Sequence, residues 1–118
     1  MRAHLLHAVV AAMLALVASA VTTRTLIARQ HSDPSFLVRA FACIHRYEGA
    51  WDDPNPPYFG GLQMDLTFQR TYGGEYLRAF GTADHWPPSL QIAVAIRAYL
   101  SGRGFWPWPN TARICGLL

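Results

Sequence analysis

The chain predicts a small, mostly α domain of several short helices with at most a vestigial β-hairpin, and three observations carry that expectation. Apolar residues recur at helical spacing in two stretches, near 34–48 and 88–101. Helix-starting residues, Asp33-Pro34 and Asp65, open the first helix and an expected second one. Glycine and proline punctuate the intervals, and only Tyr58 to Met64 reads as a short extended segment.

Taken in order, the 118 residues begin with Arg2 and an apolar run from Leu5 to Val21, broken only by His7 and Ser19. The run closes on Ala18-Ser19-Ala20, the small-x-small pattern of a signal-peptidase site. Residues 1–20 therefore read as an N-terminal apolar helix serving as a signal peptide. An uncleaved membrane anchor is the alternative, because the run approaches the shortest bilayer span. Residues 21–32 have little periodicity and read as a linker. The domain proper is then 33–118, expected to be exported and monomeric.

Within it, the first helix runs from Pro34 to about Glu48, with Leu37, Phe41 and Ile44 on one face and Gly49 at the helix-ending position. Three prolines among Pro54-Asn55-Pro56-Pro57 exclude helix from the next stretch. Asp65 caps a second helix over about 66–72, which Gly73-Gly74 should stop, and a short helix over 75–80 should end at Gly81. After Trp86-Pro87-Pro88 a third clear helix is expected over 88–101. Its stripe is Ile92, Ile96, Tyr99 and Leu100, with Gln91 and Arg97 facing away. Phe105-Trp106-Pro107-Trp108-Pro109 forms a rigid tail, and Asn110 is placed to cap a last turn.

Glu48 breaks a local rule, since a negative charge near a helix C-terminus opposes the helix dipole. Yet it stands four positions after Ile44 and continues the apolar face. That position points it inward, where partial desolvation raises a carboxyl's pKa and suits it to proton transfer.

Charge excludes some classes of function. The domain holds seven arginines against seven acids, so the formal +3 of the whole chain comes from Arg2, Arg24 and Arg29. Scattered arginines at zero net charge are not the footprint of a nucleic-acid binder. Cys43 and His45 with His85 match no metal-ligand spacing, so no metal and no cofactor is expected. Export would place Cys43 and Cys115 where disulfides persist, leaving a bridge or two buried thiols as the options.

The segments CIHRYEGAW, YFGGLQMD, QIAVAIRAY and WPWPNTARICGL together resemble the resuscitation-promoting-factor-like family, a transglycosylase-like branch of the lysozyme superfamily. The resemblance spans about 34–118. It implies a lysozyme-like α fold and a secreted, cell-wall-associated protein that acts on the glycan strand of peptidoglycan. Position by position, Glu48 matches the catalytic glutamate and Gly60, Gly61, Leu62 and Gln63 match the motif lining the cleft. Cys43 and Cys115 match the disulfide pair. Two features differ: this Glu comes five positions after its Cys rather than directly after it, and the turn to Gly60 is shorter.

A single glutamate suffices for a lytic transglycosylase, which uses it as acid and then as base toward the substrate's own C6 hydroxyl. Hydrolysis by the same residue, as in a muramidase with water as the attacking group, is the other option. The carboxylates Asp52, Asp53 and Asp65 read as turn and cap residues instead of a second catalytic group. Tyr58 and Trp51 are candidates for stacking on sugar rings, while Trp106 and Trp108 read as packing. The rival reading is a non-catalytic peptidoglycan-binding or signalling module that keeps the fold.

Overall fold

The computed structural model describes Met13, Val17, residues 20–27, Arg29 and residues 33–118. The chain divides into two units, 1–33 and 34–118. Most of the expected signal segment, Ala18 and Ser19 of its cleavage motif included, lies outside the described residues. The tract read as a linker is helical over 21–27, where the hydroxyl of Thr25 donates to the Val21 carbonyl at 2.9 Å. Nothing in 21–27 is glycine or proline, so none of these residues breaks the helix. Among the described residues no helix is long and apolar enough to cross a membrane.

The second unit is mostly helical. Helix α1 (Pro34–His45) begins on proline as expected, and it buries Leu37, Ala40, Phe41 and Ile44. Helix α2 (Leu66–Phe80) is capped by Asp65, whose Oδ1 accepts from the Phe68 N–H at 2.7 Å. It does not stop at Gly73-Gly74. It kinks at Gly73 and continues to Gly81. A Cβ on Gly73 would stand 2.9 Å from both Trp86 and Val94, so the bare backbone allows a close approach that a side chain would forbid. Packing here outweighs the poor helix propensity of two glycines, about 1 kcal/mol each.

A 3₁₀ turn (Ala83–His85) leads to α3 (Pro88–Ala98), followed by a π-helical turn (Tyr99–Arg103) and α4 (Pro109–Ile114). The α helix therefore ends at Ala98, before the expected Ser101. Its inward face also differs from the expected stripe. Gln91, Val94, Ala95 and Ala98 are buried, Ile92, Ile96 and Tyr99 are only partly so, and Leu100 is 61% exposed. The expected stripe is offset around the helix because Gln91, a polar residue, is inside. Its amide donates to the carbonyls of Trp51 (2.8 Å) and Trp86 (3.0 Å) and accepts from the Gly61 N–H (2.9 Å). A buried amide with every bond made costs little, whereas one left unmade is expensive. Gln69 does the same between Met64 and Ala83.

The core joins Phe41 to Phe105 and Trp108, at ring separations of 5.5 and 5.1 Å, and Phe68 to Trp108 at 5.5 Å. Trp108 is buried, as read from the sequence, but Trp106 is 64% exposed. Pro109 opens α4 and Trp108 is its cap, so Asn110 lies inside the helix and does not cap it. Cys43 and Cys115 form a disulfide with Cα atoms 6.1 Å apart, tying the end of α1 to the end of α4. Such a bond persists in oxidising compartments.

Candidate active site

The site is assembled from the exit of α1, one tight turn and the start of α4. After His45 the chain makes three successive short-range bonds: Arg46 to Cys43, Tyr47 to Ile44 and Glu48 to His45, each N–H to carbonyl at 3.0–3.1 Å. Glu48 therefore does not continue the helix. It stands three residues beyond it, half-buried, on a tightened turn. Its side chain reaches α4, where the Thr111 hydroxyl donates to Oε1 at 2.8 Å. Gly49 is not in the left-handed conformation expected of a helix-ending glycine. Its value is room: a Cβ there would lie 2.6 Å from the Gln63 amide nitrogen.

Gln63 comes from the turn 60–63, which is closed by a two-bond antiparallel bridge between Phe59 and Met64, both at 3.0 Å. This single pair is the vestigial hairpin. Gly60 opens the turn at φ 74° and Gln63 closes it at φ 49°, the only positive φ outside glycine among the described residues. A non-glycine residue there costs on the order of 1 kcal/mol. The Gln63 amide offsets that cost, donating at 2.9 Å both to the Gly60 carbonyl and to Asp53 Oδ2.

Asp53 also accepts from the backbone N–H and side chain of Asn55, at 3.1 and 2.6 Å. The Asn55 backbone, then Gln63, then the Asn55 side chain hold its carboxyl below the ordinary carboxylate value. Asp53 is thus a fixed anion behind Gln63. Asp52 is exposed and makes no hydrogen bond among the described residues. Asp65 is engaged as the α2 cap.

The glycine pair has a different role from the cleft lining that the resemblance implied. Both glycines are buried. The space a Cβ would take at Gly60 is filled by the Gln91 amide, and at Gly61 by Trp51 and His45. Trp51 stacks on His45 with ring centroids 3.7 Å apart, and His45 Nδ1 bonds the Gly61 carbonyl at 3.1 Å. Trp51, Gly60 and Gly61 therefore support the turn from behind and do not line the cleft that holds Glu48.

That cleft, of about 220 Å³, is walled by Glu48, Tyr58, Gln63, Pro107, Trp108, Pro109 and Asn110. Tyr58, Gln63, Pro107 and Trp108 also wall an adjoining groove of about 360 Å³, which adds Asp65, Thr67, Phe68, Thr71, Tyr72 and Arg103 among others. The Arg103 guanidinium lies 5.8 Å from the Phe68 ring centre and 5.9 Å from that of Tyr72. Among the described residues Glu48 is the only carboxylate on the smaller cleft. Chemically, the arrangement offers one carboxyl able to exchange a proton, an amide, and aromatic faces along an extended trough. Among the described residues no three His, Cys, Asp or Glu side chains converge as a metal site.

Of the residues singled out from sequence, Glu48, Tyr58 and Gln63 come together at the cleft. Asp53 was read as a turn residue, as its bonds to Asn55 show, but its bond to Gln63 was not foreseen. Thr111 and Gln91 were missed as partners, and no local pattern marks them, since Thr111 lies 63 positions from Glu48 and Gln91 30 from Gly61. No known protein family, curated protein or solved structure matches this chain.

Proposed function

We propose that this chain is a secreted, lysozyme-like enzyme that cleaves the glycan strand of peptidoglycan, with Glu48 acting as acid and then as base. The observation that carries the reading is the solitary carboxyl of Glu48 on the wall of its cleft. A two-carboxylate glycosidase needs a partner at about 5 Å or about 6.5–9.5 Å, and the nearby aspartates are otherwise occupied or exposed. A single glutamate can serve both steps. Protonated Glu48 gives its proton to the glycosidic oxygen as the bond from C1 to that oxygen breaks. The resulting carboxylate then takes the proton of the same sugar's C6 hydroxyl as that oxygen attacks C1. The products are a 1,6-anhydro end and a free hydroxyl on the leaving sugar, with Glu48 protonated again. Water in place of the C6 hydroxyl gives hydrolysis. Tyr58 offers a half-exposed ring for a sugar face. Gln63 Oε1, free of hydrogen bonds among the described residues, can accept from a sugar hydroxyl or amide.

The test is digestion of purified peptidoglycan by wild type and by Glu48→Gln, read by mass spectrometry of the fragments. Wild type should release anhydro ends. The variant keeps its size and can still accept from Thr111, so it should fold and lose activity at the upper end of the 10²–10⁴-fold range of acid–base catalysis. Undiminished cleavage by folded Glu48→Gln would remove the mechanism. Binding of the strand by wild type without cleavage would make the domain a recognition module.

A further inference from the structure

We infer that Thr111 is a positioning residue for Glu48, its hydroxyl fixing the carboxyl's orientation and following its charge from the acid to the base step. The inference rests on the acid–base role proposed for Glu48. Thr111 is 7% exposed, and its hydroxyl is the only hydrogen-bond donor to the Glu48 side chain among the described residues. The bond is made to Oε1, while Oε2 carries none and is left to exchange a proton with a substrate.

The same hydroxyl stands 3.4 Å from the Trp108 carbonyl. It therefore has one proton and two acceptors. While Glu48 is ionised, the shorter bond to Oε1 is favoured and stabilises the charge. When Glu48 holds its proton, the hydroxyl can turn to Trp108 by rotation about its own C–O bond, with no heavy atom moving. Catalytic groups gain from partners that are already in place in this way.

The element carrying Thr111 is held at both ends. The Cys115 disulfide ties it to α1, the helix from which Glu48 departs. Trp108 Nε1 donates to the Leu62 carbonyl at 2.7 Å, tying it to the turn that presents Gln63. A hydroxyl on so constrained a backbone can hold a carboxyl in one orientation, which a mobile one cannot.

Thr111→Val and Thr111→Ser separate positioning from packing. Valine keeps the shape and removes the hydroxyl, and serine keeps the hydroxyl and removes a methyl group. Kinetics on soluble glycan fragments, with thermal melts of the same preparations, should show kcat about 10- to 100-fold lower for Thr111→Val at little changed KM. Thr111→Ser should stay within about 3-fold of wild type, even if it melts lower. The reverse order, with activity following packing, overturns the inference. Should the valine variant not fold, Thr111→Ala takes its place. Alanine and serine differ only by the hydroxyl, and equal activities would count against a positioning role. Glu48→Gln is measured alongside. If it stays active, the acid–base reading has failed. If it is inactive while folded Thr111→Val turns over like wild type, only the role of Thr111 is lost.

Discussion

The indole N–H of Trp108 donates to the Leu62 carbonyl at 2.7 Å, joining residues 46 positions apart. Trp108 caps α4, two turns of chain away from Cys115 and three positions before Thr111. Leu62 is fully buried and directly precedes Gln63. One hydrogen bond thus fastens the element that orients Glu48 to the turn that faces it, and both walls of the cleft depend on it.

Trp108→Phe tests that fastening. Phenylalanine preserves ring contacts with Phe41 and Phe68 but leaves the Leu62 carbonyl without its donor in a dry site. A loss of about 2 kcal/mol is expected, or a melting temperature about 10 °C lower for a domain of this size. A melt by circular dichroism that superimposes on wild type would show the bond to be dispensable.

The paired aspartates should behave differently from one another. In the peptidoglycan digestion that tests the proposed function, Asp52→Asn should match wild type, because Asp52 holds nothing in place. Asp53→Asn should be several-fold slower, because an amide cannot accept from Asn55 and Gln63 as the carboxylate does. Stability should separate them too. The donors around Asp53 hold its folded-state pKa below the unfolded value. Its contribution is therefore fully present above about pH 4 and is lost as pH falls through the lowered folded value. Urea midpoints measured from neutral pH into acid should fall more steeply for wild type than for Asp53→Asn. Parallel curves would contradict the assignment.

Two glycines in the same domain should respond in opposite directions to alanine. At Gly61 a Cβ would come within 2.6 Å of His45 and nearer still to Trp51. Separating the stacked pair should cost about 1–3 kcal/mol and alter tryptophan fluorescence. At Gly74 the nearest atom is the Arg78 guanidinium at 3.4 Å, and the backbone is helical. Alanine there should stabilise by roughly 0.5–1 kcal/mol. Chemical denaturation of both variants would show whether the predicted signs hold.

Reduction of the Cys43–Cys115 bond opens a loop spanning 72 positions. The chain-entropy model puts the loss near 4 kcal/mol, a large share of what a small domain possesses. The check is a melt with and without reductant, together with alkylation under denaturing, non-reducing conditions. Free labelling of both thiols without reductant would show that the bond does not form.

Short-range chemistry made much of this molecule legible in its sequence. The 3–4 residue spacing of Leu37, Phe41 and Ile44, proline at the start of α1, the Asp65 cap and the glycine at 81 that ends α2 act within a turn of chain. They needed no partner to be recognised. Glu48 stood out for the same reason, as a charge where the local pattern called for an apolar residue. What only the tertiary structure decided depends on which distant surfaces meet. Gln91 was assigned outward because it is polar. It is buried because the carbonyls of Trp51 and Trp86 and the N–H of Gly61 converge on its amide. The resemblance put the glycine pair on the cleft, but Trp51, His45 and Gln91 fill the space beside it. The Thr111 bond to Glu48 could not be read from spacing at all, because a hydrogen bond forms only once folding has brought its two ends within 3 Å. Periodicity and caps are properties of neighbouring residues, so the chain declares them locally. The partners of a buried polar group are set by the closing of the core.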